Sequence, residues 1–149
     1  MQAGQLCKRN VIVAHRDTSL TEAARLMREH HVGSLVVVSE AGARRVPFGM
    51  LTDRDIVVAA IAKGLDPRTL NAGEVMSQGL YVASEHDDAE EVLRMMRKRG
   101  VRRAPVVTRD GALVGILALD DLLDICAKGL GDLARAIGRE QAREMHARA

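Results

Sequence analysis

Aromatic residues are almost missing from this chain. One tyrosine, one phenylalanine and no tryptophan leave nothing on which unpaired bases could stack, so a single-stranded nucleic-acid platform is excluded. An excess of one charge is missing too. Lys and Arg number 22 against 20 Asp and Glu, a formal net charge of +2, which gives no broad positive field for non-specific nucleic-acid binding. Any anion site must therefore be local. Cysteine is scarce: Cys7 and Cys126 stand far apart with no second thiol near either, which yields neither a disulfide framework nor a zinc-ligand spacing. A reducing, cytoplasmic setting is expected. Long apolar runs are absent as well. The longest, residues 56–62, falls far short of the ~20 residues of a spanning helix, and the first ten residues lack a signal-peptide centre. No membrane partner and no targeting segment are expected.

What the chain does have is a body of aliphatic residues. Hydrophobic residues make up 47% of 149, enough for a domain of this size to bury ~70% of its unfolded surface. It also repeats itself. A shift of 69 positions aligns Val13 with Val82, Glu22 with Glu91, Arg25 with Arg94, Met27 with Met96, Val32 with Val101 and Val37 with Val106. Beyond a hairpin that is three residues longer in the first copy, the shift becomes 66 and aligns Gly49 with Gly115, Leu51 with Leu117 and Asp55 with Asp121.

Each copy changes its hydrophobic period in the same order. Short apolar segments at 11–14 and 80–83 predict strands. Helices follow, opening on capping-box patterns, Ser19-x-x-Glu22 and Asp88-x-x-Glu91. Their apolar positions, Leu20, Ala23, Ala24, Met27 and Ala89, Val92, Leu93, Met96, keep one amphipathic face. Strand pairs are expected at 35–38 with 48–51 and at 104–107 with 113–117, the second joined through Asp110-Gly111. A second helix closes each copy and is expected to stop at Gly64 or Gly129. The unit is β-α-β-β-α. One unit alone would bury little, so the two must pack together.

The octet Gly49-Met50-Leu51-Thr52-Asp53-Arg54-Asp55-Ile56, the octet Gly100-Val101-Arg102-Arg103-Ala104-Pro105-Val106-Val107 and the duplicated order of elements resemble a tandem pair of cystathionine-beta-synthase (CBS) domains, a Bateman module. The resemblance implies an α/β fold of two repeats related by a pseudo-two-fold, at 5–66 and 73–130, with a C-terminal helical extension at 131–149. It also implies adenosine-nucleotide binding in clefts between the repeats, and dimerisation.

Thr52 and Asp55 stand where a strand ends and a helix begins, where free N–H groups and the helix dipole favour an anion. An ionised Asp55 accepts from both hydroxyls of a ribose diol, and a Thr52 hydroxyl can bond a phosphate oxygen. The same pattern also reads as an ordinary helix cap. The two readings are compatible, and the second copy, with Ala118 and Asp121 in these places, lacks the hydroxyl. Six cations and no acid occupy residues 94–103. The helix dipole accounts for Arg97, Lys98 and Arg99, whereas Arg102 and Arg103 lie beyond the expected cap at Gly100 and carry guanidinium forks that match phosphate. The resemblance places a phosphate-contacting pair at these positions, opposite the ribose-binding Asp of the other repeat. One cleft is thus expected from Thr52, Asp55, Arg102 and Arg103, with an apolar wall from Val11, Ile12, Val36 and Pro105. A weaker cleft is expected at Asp121, Ser34 and Tyr81, without cations. The chain departs from the family at Val13, Arg16, Val82 and Glu85, where members often carry Thr and then Pro.

His30 and His31 end a helix, where a cation is ordinary, and no metal site is expected. Met27, Met95 and Met96 are expected in the core. Arg135, Arg139 and Arg143 beside Glu140 and Glu144 read as a solvated helix face. With no triad, paired carboxylates or P-loop glycines, the chain is expected not to be an enzyme. The expected role is a stand-alone regulatory module that takes AMP, ADP or ATP, with S-adenosylmethionine or NADH less favoured. It would form a homodimer and signal to a separate effector protein. The alternative is a dimeric interaction module whose clefts have decayed.

Overall fold

The computed structural model describes residues 1–148. Two three-stranded sheets carry the fold, ordered β1-β2-β3 and β4-β5-β6. The first holds β1 (Val13–His15), β2 (Ser34–Ala41) and β3 (Arg44–Thr52), and the second holds β4 (Ala83–Ser84), β5 (Arg103–Val107) and β6 (Leu113–Ala118). In each, the first strand runs parallel to the second, which a crossover helix makes possible, and the second and third form an antiparallel hairpin. The hairpin turns place Gly42 and Gly111 at positive φ, a conformation glycine reaches without a steric penalty. Even the register irregularity recurs, at Val37/Val38 and Val106/Val107.

The crossover helices are α2 (Leu20–His30) and α5 (Ala89–Arg99). Ser19 caps the first by accepting from the Glu22 N–H at 3.1 Å. Asp88 caps the second through Glu90 rather than Glu91, at 3.0 Å, and its other oxygen takes the chain's terminal ammonium at 3.3 Å. Leu20, Ala23 and Met27 bury against one sheet, and Val92 and Met96 against the other. Ala24 and its equivalent Leu93, expected on the buried stripe, are exposed. Each sheet covers a narrower sector of its helix than the sequence pattern suggests.

A short helix α1 (Ala3–Leu6) precedes the first repeat, and another, α4 (Ala72–Val75), precedes the second. Each docks on the other repeat. Ala3 and Cys7 belong to the core of the second repeat and Ala72 to that of the first. Ala3 and Gly4 donate to Asp87 and Glu85, while Ala72 and Gly73 donate to Thr18 and Arg16. Close contact demands glycine where the N-terminal segment crosses β6: a Cβ on Gly115 would meet the Lys8 carbonyl at 2.9 Å and the Cys7 sulfur. A third apolar layer, Val36, Val38 and Met50 with Leu80, Leu113 and Ile116 packed against them, joins the repeats. The buried residues of the core are aliphatic, with no buried polar or charged residue among those described.

After β3, α3 (Asp53–Ile56) widens into a π-helical stretch, Val57–Ile61, and the chain turns at Gly64 with φ +67. The second copy differs. Its helix α6 (Leu119–Ala147) runs without interruption past Gly129, which corrects the expected stop there. Gly64 is followed by Pro67, which cannot continue a helix. No proline follows Gly129, and glycine alone costs a helix only ~1 kcal/mol.

Candidate functional site between the repeats

The two sequence-equivalent helix starts do different work. At α3 the Thr52 hydroxyl accepts from the Asp55 N–H at 3.1 Å, and the Asp55 carboxylate accepts from the Thr52 N–H at 2.9 Å. Both side chains are engaged in a reciprocal capping box. At α6 the cap residue Ala118 offers no side-chain oxygen. The Asp121 carboxylate is left to a cation, the Lys8 ammonium at 2.7 Å. Lys8 is held in place by paired backbone bonds with Ile116, both 2.9 Å, and the hydrogen bond that its ammonium donates to Asp121 keeps that ammonium above the usual lysine range.

Around Asp121 the repeats leave a cavity of about 250 Å³, just under the ~300 Å³ at which small-molecule pockets begin. From the first repeat come Ile12, Ser34 and Val36, and from the second Arg103, Ala118 and Asp121. Strand neighbours explain the grouping. Ser34 and Val36 are two apart on β2 and share a face, and the Ile12 carbonyl accepts from the Val36 N–H at 3.3 Å. Arg103 pairs with Ala118 across β5 and β6, so its side chain starts beside Asp121. The cavity therefore has an aliphatic wall, two carboxylates, Asp120 and Asp121, and the cationic or titratable side chains of Lys8, His31 and Arg103.

This differs from the expected arrangement in three ways. Ile12 and Val36, assigned to the Thr52 side, line the Asp121 cavity, because the β1–β2 pairing ties them to Ser34. Tyr81, assigned to the Asp121 side, is absent from its lining and packs on the core of the second repeat, where burial raises the pKa of its phenol. And the Asp121 side, expected to lack cations, carries two, Lys8 and Arg103, with the His31 imidazole beside them. Thr52 and Asp55 do not line this cavity. Arg102 is largely exposed and pairs with Asp120 at 3.3 Å, and Pro105 is fully buried opposite Ile116 on β6.

Lys8, His31 and Asp120 are among the lining residues that escaped the sequence reading. Lys8 reaches the cavity through the exchanged N-terminal segment, and the signal was present: Ala3-Gly4 returns as Ala72-Gly73 at the same shift of 69. His31 occupies the left-handed C-cap of α2 at φ +54, where the second copy has Gly100 at φ +66. A side chain there costs roughly 1 kcal/mol that glycine avoids, so the imidazole stands at the cavity rim at a local backbone cost. Among the described residues no three His, Cys, Asp or Glu side chains converge to hold a metal ion, and no helix is long and apolar enough to cross a membrane.

Comparison with known proteins gives two matches to the CBS domain model, at residues 3–62 and 72–128. Hypoxic response protein 1 of Mycobacterium tuberculosis is 39% identical over 122 residues, which cover 82% of this chain and 78% of that protein. Its crystal structure, with two coordinated zinc ions, superposes with a TM-score of 0.73 at 36% identity, over 83% of this chain and 98% of the other. An uncharacterized protein of Methanopyrus kandleri is 33% identical over 125 residues, 84% of this chain but only 62% of that protein's length. The cytosolic domain of the magnesium channel MgtE, solved in complex with ATP, matches with a TM-score of 0.70 at 30% identity, over 83% of this chain and 48% of the other.

Proposed function

The chain belongs to the CBS domain family, and from that premise we propose that it is a regulatory rather than catalytic module that takes an adenosine nucleotide of the AMP, ADP or ATP class into the cavity at Asp121. One observation carries the reading: a cavity between the repeats combines an aliphatic wall with the Asp121 carboxylate, which serves no helix cap, and with Arg103, which makes no salt bridge among the described residues. Asp121 accepts the ribose hydroxyls, Ile12 and Val36 flank the adenine, and Arg103 with His31 takes the phosphate. The ATP complex of the MgtE domain supports the ligand class. The Thr52 and Asp55 side, with Arg102, is the poorer of the two grooves, because its polar groups already satisfy each other.

The nucleotide signals by favouring one packing of the repeats over another, which requires different affinity for the two states, and the response passes to an effector protein. Val57, Val58, Ile61 and Leu93 form exposed apolar surface on the helices, which supports a homodimer through those faces. That surface also favours the second reading, a dimeric interaction module with clefts that bind nothing.

Thermal-shift titration with AMP, ADP, ATP, S-adenosylmethionine and NADH separates the readings. A ligand at 100 times its Kd adds ~2.7 kcal/mol. Stabilisation by an adenosine nucleotide, lost in Asp121→Ala, is the expected result. Identical melting of wild type and variant with every compound would leave only the second reading.

A further inference from the structure

The turn between β1 and α2 carries a cation and an acid that the fold does not use. The Thr18 N–H donates to the His15 carbonyl at 3.1 Å, and the Thr18 hydroxyl accepts from the His15 N–H at 2.9 Å. Arg16 and Asp17 are therefore the two central residues of a doubly closed β-turn, and both side chains line a hollow of about 700 Å³ on the first repeat. That volume lies within the range of small-molecule sites. Neither residue makes a salt bridge among the described residues. Glu40 on the neighbouring strand is already taken, by His15 at 3.0 Å and Arg45 at 3.6 Å. Instead of pairing with Asp17, Arg16 lies over the ring of Phe48, 4.7 Å from its centroid. Stacking uses the face of the guanidinium and leaves the N–H groups in its plane free to donate. Glycine makes room for this side chain, since a Cβ on Gly73 would overlap the Arg16 Cγ. Val38 and Phe48 supply an apolar floor, and Ser39 and Asn71 complete the lining. The Asn71 side-chain carbonyl accepts from the Glu74 N–H at 3.1 Å, so its NH2 remains as a donor.

The second repeat builds the same turn without these features. There the Asp87 N–H donates to the Ser84 carbonyl at 3.0 Å, the central residues are Glu85 and His86, whose side chains approach each other to 3.7 Å, and Val114 stands in place of Phe48. The repeat unit thus requires neither the unpaired charges nor the ring. We propose that the hollow is a ligand site for a free α-amino acid with a large apolar side chain. It shares no lining residue with the cavity at Asp121. The two charges of an α-amino acid sit on neighbouring groups, as the two charges of the turn do. Its carboxylate takes the Arg16 fork with the Asn71 amide and the Ser39 hydroxyl, its ammonium takes the Asp17 carboxylate, and its side chain covers Phe48. A simple anion would leave Asp17 unpaired beside it, and a simple cation would leave Arg16 so.

Calorimetric titration of the full chain with L-phenylalanine tests the site, beside N-acetyl-L-phenylalanine, which lacks the ammonium, L-phenylalaninamide, which lacks the carboxylate, and glycine, which lacks the side chain. Phenylalanine is expected to bind, and each of the other three to bind more weakly by about tenfold. Arg16→Met keeps an apolar stem over Phe48, and Asp17→Asn keeps the size of the side chain. Each is expected to weaken phenylalanine by about the same factor at an unchanged melting temperature. Both variants should keep the nucleotide thermal shift, and Asp121→Ala should keep the response to phenylalanine, which separates failure here from failure of the functional reading. No binding of phenylalanine, equal binding of the acetylated or amidated compound, or undiminished binding in Arg16→Met or Asp17→Asn would each overturn the proposal.

Discussion

Helices α3 and α6 begin at equivalent points of two copies of one unit, yet a carboxylate at the third position of each has a different fate. Asp55 is consumed by the reciprocal box with Thr52. Asp121, beside an alanine cap, is left facing a cavity and a lysine. A single hydroxyl thus decides whether the acid serves the helix or remains available to a ligand. In the sequence the Thr-x-x-Asp pattern looks like the better site. In three dimensions a satisfied pattern is a stable cap, and on the proposed reading the incomplete one is the better receptor.

The largest expected effect breaks that contrast directly. Asp121→Ala removes the nucleotide-dependent stabilisation, ~2.7 kcal/mol at 100 times Kd, which is about 5–10 °C of melting temperature for a chain of this size. Asp55→Ala keeps the nucleotide response and lowers only the unliganded melting temperature. Loss of the response in Asp55→Ala and its survival in Asp121→Ala, both read by thermal shift, would reverse the assignment of the two grooves.

Exchanging the caps sharpens the comparison. Thr52→Ala is expected to cost about 1 kcal/mol, because the Asp55 N–H loses its acceptor. Ala118→Thr is expected to raise stability by up to about the same amount and to weaken nucleotide binding, since the new hydroxyl draws Asp121 into a box of its own. Denaturant unfolding gives the first quantity and titration the second. A gain in stability with unchanged affinity would show that capping and ligand binding do not compete for Asp121.

His31→Gly probes the other asymmetry, the left-handed residue at the end of α2. Relief of its φ of +54 is expected to stabilise the unliganded protein by roughly 1 kcal/mol, and loss of the imidazole to weaken AMP more than adenosine. Unchanged selectivity between the two would leave His31 with no part in phosphate binding.

Much of this was legible in the chain, for reasons that can be named. The β-α-β-β-α order, the hairpin at Asp110-Gly111 and the cap at Gly100 are local signals, and local signals survive translation into structure. The exchanged helices α1 and α4 were missed because their partners lie far along the chain: Ala3 meets Asp87, and Ala72 meets Thr18. That exchange brings Lys8 to Asp121, so the cavity's charge could not be counted from either repeat alone. Ile12 lines the Asp121 cavity rather than the Thr52 side, and Tyr81 packs on the core of the second repeat instead of joining that lining, because strand pairing, not proximity in sequence to a motif, decides which wall a residue joins. Ala24 and Leu93 fit the helical period yet stay outside, since periodicity fixes a face and not the width that a sheet will cover.

The smallest expected effect concerns Lys8. Its ammonium sits 2.7 Å from the carboxylate that a ribose must engage, on a side chain that is 70% exposed, so the pair is a surface interaction of modest strength. Adenosine offers the displaced lysine nothing, whereas AMP offers a phosphate in the same cavity. Lys8→Met is therefore expected to tighten adenosine and weaken AMP, each by about two- to fivefold. Because the folded protein holds this ammonium above its ordinary range, its contribution is complete below the unfolded value near 10.4 and lost only as pH climbs through the raised one. The change in selectivity should accordingly be constant from about pH 7.5 to pH 9, above the second ionisation of the AMP phosphate at ~6. Calorimetric titration at both ends of that window reads it. A selectivity change confined to the acidic end would assign the effect to a group other than Lys8.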